Sequence, residues 1–474
     1  MNHDLKPYPR MKESGVPWIG KVPEHWEVQR GKWLFRHRKQ INVDRVSSNV
    51  LSLTLRGVVN NDPNNPEGLV PADYATYQLF RKGDLVFKLI DLENLRTSRV
   101  GLVHEDGIMS SAYVRLSPQT GGNIRFFFQQ YFDLYQRGIY NQLGAGVRST
   151  LGPNDLLNLS VVVPPLVEQS AIVRFLDYVD RRIRSHVRAK QKLIKLLEEQ
   201  KQTVIHRAVT RSLDGDSQLK SSGVESLGRL PAHWDVVPLR RRWRVTDCKH
   251  LTVPFVEEGI PLASVREAQN FDLSLADANR TTVDWYATLV EGGRKPRRGD
   301  LIYCRNVGVG AAAFVDTDEQ FAMGQDVCLI SSLNENQRYL NYFLHSPVMD
   351  RQLAALLVGS TFPRINVSDV KALLIFVPPR AEQDRIVIHL DGLLKRINGG
   401  IGAAAREVSL LREFRSRLIA DVVTGKLDVR EVAASLPDES GQEDSLLVET
   451  EPMTEYGLEE DGSTVAAELE EVDA

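Results

Sequence analysis

Two long stretches of the chain repeat apolar residues at alternating steps of three and four positions, with polar residues between them. This spacing is typical of a helix that buries one stripe along its length, as the helices of a coiled coil do. The stretches begin after Val163-Pro164-Pro165 and after Val377-Pro378-Pro379, where prolines close a strand-like run and favour a sharp helix start. The pattern therefore predicts two long helices, one in each half of the chain.

A helix over residues 168–210 would be about 65 Å long at roughly 1.5 Å per residue, and it needs a partner along its stripe. The second helix is the natural partner, although each helix could instead pack on its own half of the chain. Gly399, Gly400 and Gly402 are expected to weaken the second helix locally. The positions expected to hold the helices together are Ile172, Leu176, Val179, Ile183, Leu197, Ile386, Leu390, Leu393, Ile397 and Leu411.

The two helices belong to a duplication of the whole chain. Residues 14–28 match residues 222–236 without a gap, and both segments contain Gly-Val and His-Trp. The segments that follow the paired prolines match at an offset of 214, so that Glu168-Gln169 aligns with Glu382-Gln383. The sequence between these blocks diverges. The chain is therefore predicted to be two copies of one unit, a variable module followed by a long helix.

Each module mixes strand-like and helix-like patterns. Residues 50–55, 84–88 and 112–116 are predicted strands, and residues 125–143 and 337–357 are predicted helices. We therefore expect an α+β fold with a pseudo-two-fold internal repeat. The expected divisions are an N-terminal extension 1–13, a first module 14–165, a first helical region 166–214, a second module 215–379, a second helical region 380–430 and an acidic, disordered tail 431–474.

The charge of the chain is unevenly distributed. The 474 residues carry 59 basic and 62 acidic side chains, but 15 of the acidic ones lie after position 430, where there is no Lys or Arg. The remainder has 59 basic and 47 acidic residues, a balance of about +12, which suits a surface that binds a polyanion. The tail is expected to be a solvated appendage; competition with DNA for the basic surface is the alternative.

The motifs of several enzyme classes are missing. There is no Gly-rich loop ending in Gly-Lys-Ser/Thr for ATP, and Gly308-Val309-Gly310 is an isolated pattern without a strand–turn–helix context. Neither Pro-Pro pair has the preceding Asn or Asp that an adenine methyltransferase requires. The three cysteines show no zinc-ligand spacing, and we expect them to be reduced thiols. No cofactor or metal is expected in this chain, and it is not expected to be an enzyme.

Basic residues are frequent in both modules, as phosphate contacts require, while base reading needs Arg, Asn or Gln at a groove. For any single residue, a solvated surface charge is the alternative. The candidates for DNA contact are Arg36, Arg56, Lys88, Arg96, Arg99, Arg148, Lys249, Arg266, Arg305, Asn306, Gln325 and Arg364.

The duplicated motifs resemble those of the specificity (S) subunits of type I restriction–modification systems. The resemblance rests on Gly-Val-Pro-Trp-Ile-Gly-x-Val-Pro-x-His-Trp at 15–26, its copy at 223–234, and the two Val-Pro-Pro-x-x-Glu-Gln helix starts. It covers nearly the whole chain except the first dozen residues and the tail. It implies two target-recognition domains joined by two long antiparallel coiled-coil helices.

The resemblance also implies partners and a mechanism. Each recognition domain would read one half of a bipartite site on double-stranded DNA, and the helix pair would set the spacing. Two methyltransferase (M) subunits and restriction–translocase (R) subunits would join the chain, and S-adenosylmethionine, ATP and Mg would belong to these partners. Half-sites read by one rigid body lie about one helical turn apart, roughly 34–36 Å.

Two alternatives remain open at the level of sequence. One is a specificity subunit of a methylation-only or other phage-defence system. The other is a coiled-coil scaffold that binds proteins and not DNA. No apolar run is long enough to span a membrane and no signal peptide is visible, so we expect a cytoplasmic protein.

Overall fold

The computed structural model describes residues 5–55, 57–66, 70–89, 99–119, 121–143, 151–213, 217–224, 227–357 and 364–437, without the side chain of Arg99. The chain divides into two compact units. Unit 1 comprises residues 1–187 and 409–474, and unit 2 comprises residues 188–408. Both divisions fall inside a long helix, so each unit contains one module and a segment of each long helix.

Among the described residues, unit 1 contains the first twelve strands. They are β1 (Met11–Glu13), β2 (Lys21–Pro23), β3 (Glu27–Arg30), β4 (Phe35–His37), β5 (Leu51–Thr54), β6 (Gly57–Asn60), β7 (Gln78–Phe80), β8 (Leu85–Lys88), β9 (Arg99–Leu102), β10 (Gly107–Met109), β11 (Val114–Pro118) and β12 (Ser160–Val163). Its module helices are α1 (Ile124–Gln136), α2 (Ile139–Leu143) and α3 (Pro153–Asn158). The first long helix, α4 (Leu166–Thr210), begins here.

Unit 2 contains the remaining strands. They are β13 (Leu219–Ser221), β14 (Arg229–Pro231), β15 (Asp235–Pro238), β16 (Arg244–Asp247), β17 (Ile260–Ala263), β18 (Arg280–Thr281), β19 (Leu301–Cys304), β20 (Ala312–Phe314), β21 (Ala322–Met323), β22 (Val327–Ser331) and β23 (Leu374–Val377). Its module helices are α5 (Val283–Leu289), α6 (Gln337–Leu344), α7 (Pro347–Leu357) and α8 (Val367–Ala372). The second long helix, α9 (Arg380–Val423), begins here, and α10 (Arg430–Ser435) follows it in unit 1.

The duplication seen in the sequence is a duplication of topology. The four-stranded sheet of unit 1 has the order β4-β11-β8-β9 and that of unit 2 the order β16-β22-β19-β20, with all neighbours antiparallel. In each module the strand before the long helix pairs with the strand after the His-Trp motif, β12 with β3 and β23 with β15. The predicted α+β fold and internal repeat are confirmed.

The two modules differ in the segments that connect equivalent strands of their four-stranded sheets. Residues 38–84, between β4 and β8, contain the β5–β6 hairpin and β7, which pairs with β10. Residues 248–300, between β16 and β19, contain α5 and two strands of a three-stranded sheet, β18-β17-β21. The sequence divergence between the modules is therefore concentrated in structure carried by a shared sheet.

One turn shows why faint sequence similarity persists between the modules. Gly83 and Gly299 have φ of +87° and +96°, values that favour glycine, in the turns that lead into β8 and β19. The carboxylate of Asp84 accepts from the backbone N–H of Arg81 at 2.7 Å, and that of Asp300 accepts from Arg297 at 2.9 Å. The shared Arg-x-Gly-Asp pattern thus specifies a turn.

The two long helices pack antiparallel within each unit. In unit 1, Glu168 near the start of α4 contacts Arg430 beyond the end of α9, while Asp180 further along α4 pairs with Arg415. In unit 2, Lys190 pairs with Glu407 at 2.7 Å, and Ser212 beyond the end of α4 donates to Glu382 near the start of α9 at 2.8 Å. The prediction that the helices pack together is confirmed.

The predicted stripe is mostly buried. Seven of its ten positions are buried and Leu197, Leu393 and Leu411 are half-buried. In unit 2, Ile386, Leu390 and Ile397 also pack in the core of the second module, so the stripe serves its own module as well as the partner helix. Helix α9 runs through Gly399–Gly402 without a break, and a Cβ on Gly400 would lie 3.4 Å from Leu197 Cδ1.

Two predicted helices are each divided in two. The segment predicted as 125–143 is broken at Arg137–Gly138, where Gly138 has φ +67°, and α2 starts afresh at Ile139. The segment predicted as 337–357 is broken at His345–Ser346, before Pro347 starts α7. Proline has no N–H to donate and is well placed only in the first turn of a helix. Because the apolar periodicity continues across both breaks, the sequence predicted one helix in each place where the structure has two.

The predicted N-terminal extension and the predicted acidic tail both contain secondary structure among their described residues. Tyr8, in the predicted extension, is buried, and β1 pairs with β2. The residues after 430 start as α10, and Arg174 donates to the carbonyl of Leu436 at 2.6 Å. Lys6 and Asp428 form an isolated β-bridge. Residues 438–474 of the predicted tail lie outside the described residues.

No helix in the part of the chain that the structure describes has the length and hydropathy needed to cross a membrane.

Candidate nucleic-acid interface

Each module is attached to its long helix by one buried carboxylate. In unit 1, Glu168 accepts from Trp26 Nε1 at 2.9 Å and from the hydroxyl of Tyr8 at 3.2 Å, and lies 2.7 Å from His25 Nε2. In unit 2, Glu382 accepts from Trp234 Nε1 at 3.1 Å and lies 2.8 Å from His233 Nε2. The His-Trp motif and the Glu-Gln motif therefore meet in both units and fix each module to its helix.

The glutamine that follows each glutamate makes a second attachment. Gln169 Nε2 donates to the carbonyl of Pro164, and its Oε1 accepts from the backbone N–H of Asn123 at 2.8 Å. Gln383 does the same with Pro378 and Asn336. Each module is therefore held to its long helix at two places, near the His-Trp motif and at the start of helix α1 or α6. These two attachments fix the orientation of the module relative to its own helix segment.

One edge of the four-stranded sheet in unit 2 gathers polar side chains. Strands β16 and β19 end there, at Asp247 and Cys304, and β22 starts there at Val327. The backbone N–H of Arg305 donates to the carbonyl of Asp326 at 2.9 Å, and Ile365 donates to that of Arg305 at 2.9 Å. Three separate loops are thus held together at this edge.

Arg305 lies beneath this edge and does not reach its surface. Only 3% of the residue is exposed, and its guanidinium is 3.0 Å from Asp247 Oδ1 and 3.5 Å from His250 Nε2. The prediction that Arg305 contacts DNA directly does not fit this burial. Its charge is instead used to hold Asp247 and His250, which stand nearer the surface.

Asp247, Cys248 and His250 have the donor types of a metal site and lie within 4.8 Å of one another. His250 Nε2 is 3.0 Å from Asp247 Oδ2, and its Nδ1 is 3.6 Å from Cys248 Sγ. Because the guanidinium of Arg305 already lies against the carboxylate and the imidazole, a cation between these donors would be repelled. The arrangement is better described as a hydrogen-bonded network that fixes the loop after β16.

Three of the predicted contacts stand at the surface of this edge. Gln325 is exposed and donates to Thr252 at 2.9 Å. Asn306 is half-buried, and its backbone forms a β-bridge with Arg364. Arg364 is exposed, and its guanidinium lies 3.4 Å from Asp326 Oδ1. Amide, guanidinium and carboxylate groups at one edge match the donors and acceptors that base edges display.

The loop that joins β19 to β20 carries an exposed apolar residue at the same edge. Val307 has φ +40° and is 68% exposed. A β-branched residue in the left-handed region is a genuine outlier, with a cost on the order of 1–3 kcal/mol. His250 and Asp326 also have positive φ, of 50° and 61°, but those residue types adopt it more readily.

The other two candidates of the second module are engaged with protein acceptors. Lys249 pairs with Glu291. Arg266 is exposed, lies 2.9 Å from Glu267 Oε1 and also donates to the carbonyl of Asp277. Each would have to exchange a protein partner for a phosphate. Neither is brought into contact with the Arg364–Asp326 pair by a described hydrogen bond.

The equivalent edge of the first module is only partly described. Arg36 is exposed on β4, and Lys88 is half-buried at the end of β8, opposite Arg99 in the strand register. Arg56, Arg96 and Arg148 lie outside the described residues. The structure therefore places Lys88 and Arg99 together at the edge that corresponds to the one bearing Arg305 in unit 2.

Several residues of this region could not be selected from the sequence. Asp247, His250 and Asp326 were missed, because a search for basic residues ignores the carboxylates that position them. The available signal was their adjacency to candidates, since Asp247 precedes Cys248-Lys249 and Asp326 follows Gln325.

The long helices also expose matched apolar side chains. Leu196 of α4, in unit 2, is 51% exposed, and Leu410 of α9, in unit 1, is 63% exposed. The two positions are equivalent in the duplication, at the offset of 214. Phe414 and Leu193 are exposed one turn away on their respective helices. Large apolar residues are therefore exposed at equivalent positions of the two long helices.

A comparison with known protein families finds one description that matches twice. The type I restriction modification DNA specificity domain matches residues 55–196 and residues 268–404. These two ranges together cover more than half of the chain, one range in each copy of the duplication.

Individual relatives agree with that match. The chain is 21% identical, over 87% of its length and 96% of the relative, to a putative type I restriction enzyme MjaX specificity subunit of Methanocaldococcus jannaschii. It is 23% identical, over 58% of its length and 63% of the relative, to the type I restriction enzyme MjaVIII specificity subunit of the same organism. A chain from a structure on complex assembly and conformational transition of the type I R-M system shares the fold, with TM-score 0.64 and 17% identity over 86% of this chain and 99% of that one.

Proposed function

Because the chain belongs to the family defined by the type I restriction modification DNA specificity domain, we propose that it reads a two-part DNA site and directs partner subunits to it. The observation that carries the proposal is the repetition of one sheet topology with different structures between equivalent strands. Two modules of common descent with different inserts can read two different short sequences. The proposed target is therefore asymmetric, with one half for each module.

The second module's edge supplies the proposed reading chemistry. Arg364 and Gln325 are exposed there, and Asn306 is next to Arg364. Arginine binds guanine bidentately, and asparagine or glutamine binds adenine, while Asp326 could accept from a cytosine amino group. Arg305 would act indirectly, by holding Asp247 and His250 in place. Arg36, Lys88 and Arg99 are the proposed counterparts in the first module.

The paired helices are proposed to set the distance between the half-sites. Their antiparallel packing within each unit and the attachment of Glu168 and Glu382 to their own modules support this role. Lengthening both helices by whole turns should lengthen the DNA spacer and leave both half-sites unchanged. An unchanged spacer in such a variant would contradict the proposal.

Leu196 and Leu410 are proposed to contact two copies of a methyltransferase subunit. Equivalent exposed positions on the two helices suit one partner that binds twice. Catalysis, S-adenosylmethionine, ATP and Mg are proposed to belong to the methyltransferase and restriction subunits, with adenine as the methylated base. The chain itself is proposed to contribute recognition alone.

Co-expression of the chain with a candidate methyltransferase subunit from the same genome tests the proposal. Sequencing of the methylated adenines should show one two-part motif. Replacement of residues 215–379 by the equivalent module of a relative should change one half of that motif and leave the other half and the spacer intact. A change in both halves, or in neither, would contradict the assignment of one half to each module.

Two other outcomes would point to the alternative functions. A methylated motif with no DNA cleavage in the presence of every neighbouring gene product would indicate a methylation-only system. Binding of the complex to duplex DNA should also weaken steeply with salt, because phosphate contacts release counterions. An assembly with no salt-sensitive DNA binding would instead be a protein scaffold.

A further inference from the structure

Val307 has a backbone conformation that its side chain does not favour, and most of the residue is exposed. Four described non-glycine residues have positive φ, and Val307 is the one among them that is β-branched. Its side chain is 68% exposed, so it contributes little to a core. Such strain persists only when its surroundings impose it, and it is concentrated at functional sites.

The surrounding loop fixes Val307 through its backbone. The N–H of Val307 donates to Asn306 Oδ1 at 3.0 Å, and its carbonyl accepts from Gln269 Nε2 at 3.3 Å. Gly310 closes the loop by donating to the carbonyl of Cys304 at 3.2 Å. These bonds hold the backbone of Val307 in the loop between β19 and β20.

Val307 is an apolar group on an otherwise polar edge. It follows Asn306, whose backbone pairs with Arg364, and Arg364 contacts Asp326. Base edges in the major groove display hydrogen-bonding groups and one apolar group, the 5-methyl of thymine. We propose that Val307 is a specificity-determining residue that contacts the methyl group of one thymine in the half-site of the second module. This inference rests on the proposed function.

The test uses the complex of the full chain with its methyltransferase and the motif that sequencing of methylated adenines gives. Duplexes carry this motif with each thymine replaced in turn by uracil, which lacks the methyl group. One replacement, in one half-site, should weaken binding by the wild-type complex about fourfold, the effect expected for one buried methyl group. The complex of Val307→Gly should bind the thymine duplex about fourfold more weakly and should not distinguish this uracil.

Two controls separate recognition from folding. Glycine adopts φ +40° without steric cost, so the thermal midpoint of Val307→Gly should not fall below that of the wild type. Leu333→Ala removes a fully exposed apolar side chain beyond the opposite end of β22, and it should leave the discrimination between thymine and uracil unchanged.

The outcomes are distinct. The thymine contact would be contradicted if the Val307→Gly complex still bound the same uracil duplex more weakly than the thymine duplex, or if its binding to all duplexes were weakened by the same factor. It would also be contradicted if the wild-type complex bound every uracil duplex as tightly as the thymine duplex. None of these results would contradict the proposed function. A wild-type complex that methylates no two-part motif would overturn the proposed function, and this inference with it.

Discussion

Glu382 accepts hydrogen bonds from three side chains while only 6% of the residue is exposed. Substitution Glu382→Ala would leave the indole N–H of Trp234 buried without a partner. We expect a loss of about 2–4 kcal/mol in the free energy of unfolding, since an unsatisfied buried donor costs about 1–3 kcal/mol and further bonds are lost. Glu382→Gln keeps one acceptor oxygen and should lose about half as much.

Urea denaturation measures both variants, and Glu198→Ala on the exposed face of α4 is the matched control. Equal stability of the Ala and Gln variants would contradict the role of Glu382 as a hydrogen-bond acceptor.

We expect His345 to make the free energy of unfolding depend on pH. Burial lowers its pKa below the ordinary 6.5, and its Nδ1 is 2.9 Å from the carbonyl of Asn341. A depressed pKa in the folded state means that the unfolded chain binds the proton more tightly. The stability linked to neutral His345 is therefore present above about pH 6.5 and is lost as the pH falls below that value.

The substitution His345→Asn tests this dependence. The variant should lose less free energy of unfolding than the wild type between pH 7 and pH 5.5, in parallel urea titrations. His206 has a lowered pKa from burial as well and is present in both proteins, so it does not affect the comparison. Identical pH profiles would exclude His345 as a source of the dependence.

At the scale of residues, the sequence predicted which positions are buried where a helical pattern repeats, but it did not predict the exposure of residues in loops. The positions Ile172 and Ile386 were found because helical periodicity predicts which side of a helix is buried, and both are at most 1% exposed. Arg305 and Arg364 look alike in the sequence, but one is buried against Asp247 and the other is exposed. Their difference depends on how three loops meet, which no local pattern encodes.

At the scale of elements, the long helices depend on apolar packing with a few charged contacts across them. Arg415 of α9 and Asp180 of α4 form a partly buried pair, and Arg184 lies 2.7 Å from the same carboxylate. We expect a double-mutant cycle of Arg415→Ala and Asp180→Ala to show a coupling of about 1 kcal/mol in unfolding free energy, at the upper end for exposed pairs.

A pair on one helix provides the comparison. Arg417 and Glu413 are four residues apart on α9 and more exposed. Their coupling should be about 0.3–0.5 kcal/mol and should decrease with salt. A larger coupling for this pair than for Arg415 and Asp180 would contradict the assignment of a cross-helix role.

The sequence predicted the presence of the long helices better than it predicted where the shorter helices and strands begin and end. Helix α4 was expected from Glu168 to Thr210 and spans Leu166–Thr210, because forty residues of unbroken periodicity leave little room for error. Helices α1 and α2 were merged in the prediction, since their apolar positions stay in phase through Gly138. The three-stranded sheet of the second module was not predicted, because its strands are short and one pairing is parallel and distant in sequence.

At the scale of the whole molecule, duplication was the most informative feature of the sequence. It identified the matched blocks, and the structure shows that these blocks meet at Glu168 and Glu382. It also indicated that divergence is confined to the modules. The duplication could not predict the structures of the segments between equivalent strands, because these segments differ between the two copies.

In unit 1, the bridge between Lys6 and Asp428 holds the N-terminal segment beside the residues that follow α9. In unit 2, the residues after Thr210 continue directly into β13, whereas in unit 1 the residues after Thr424 reach β1 only through this non-covalent bridge. A permuted gene that joins residue 437 to residue 5 by a flexible linker and opens the chain at residues 214–216 should yield the same methylated motif. The order in which the two units are connected along the backbone would then have no effect on the proposed DNA motif.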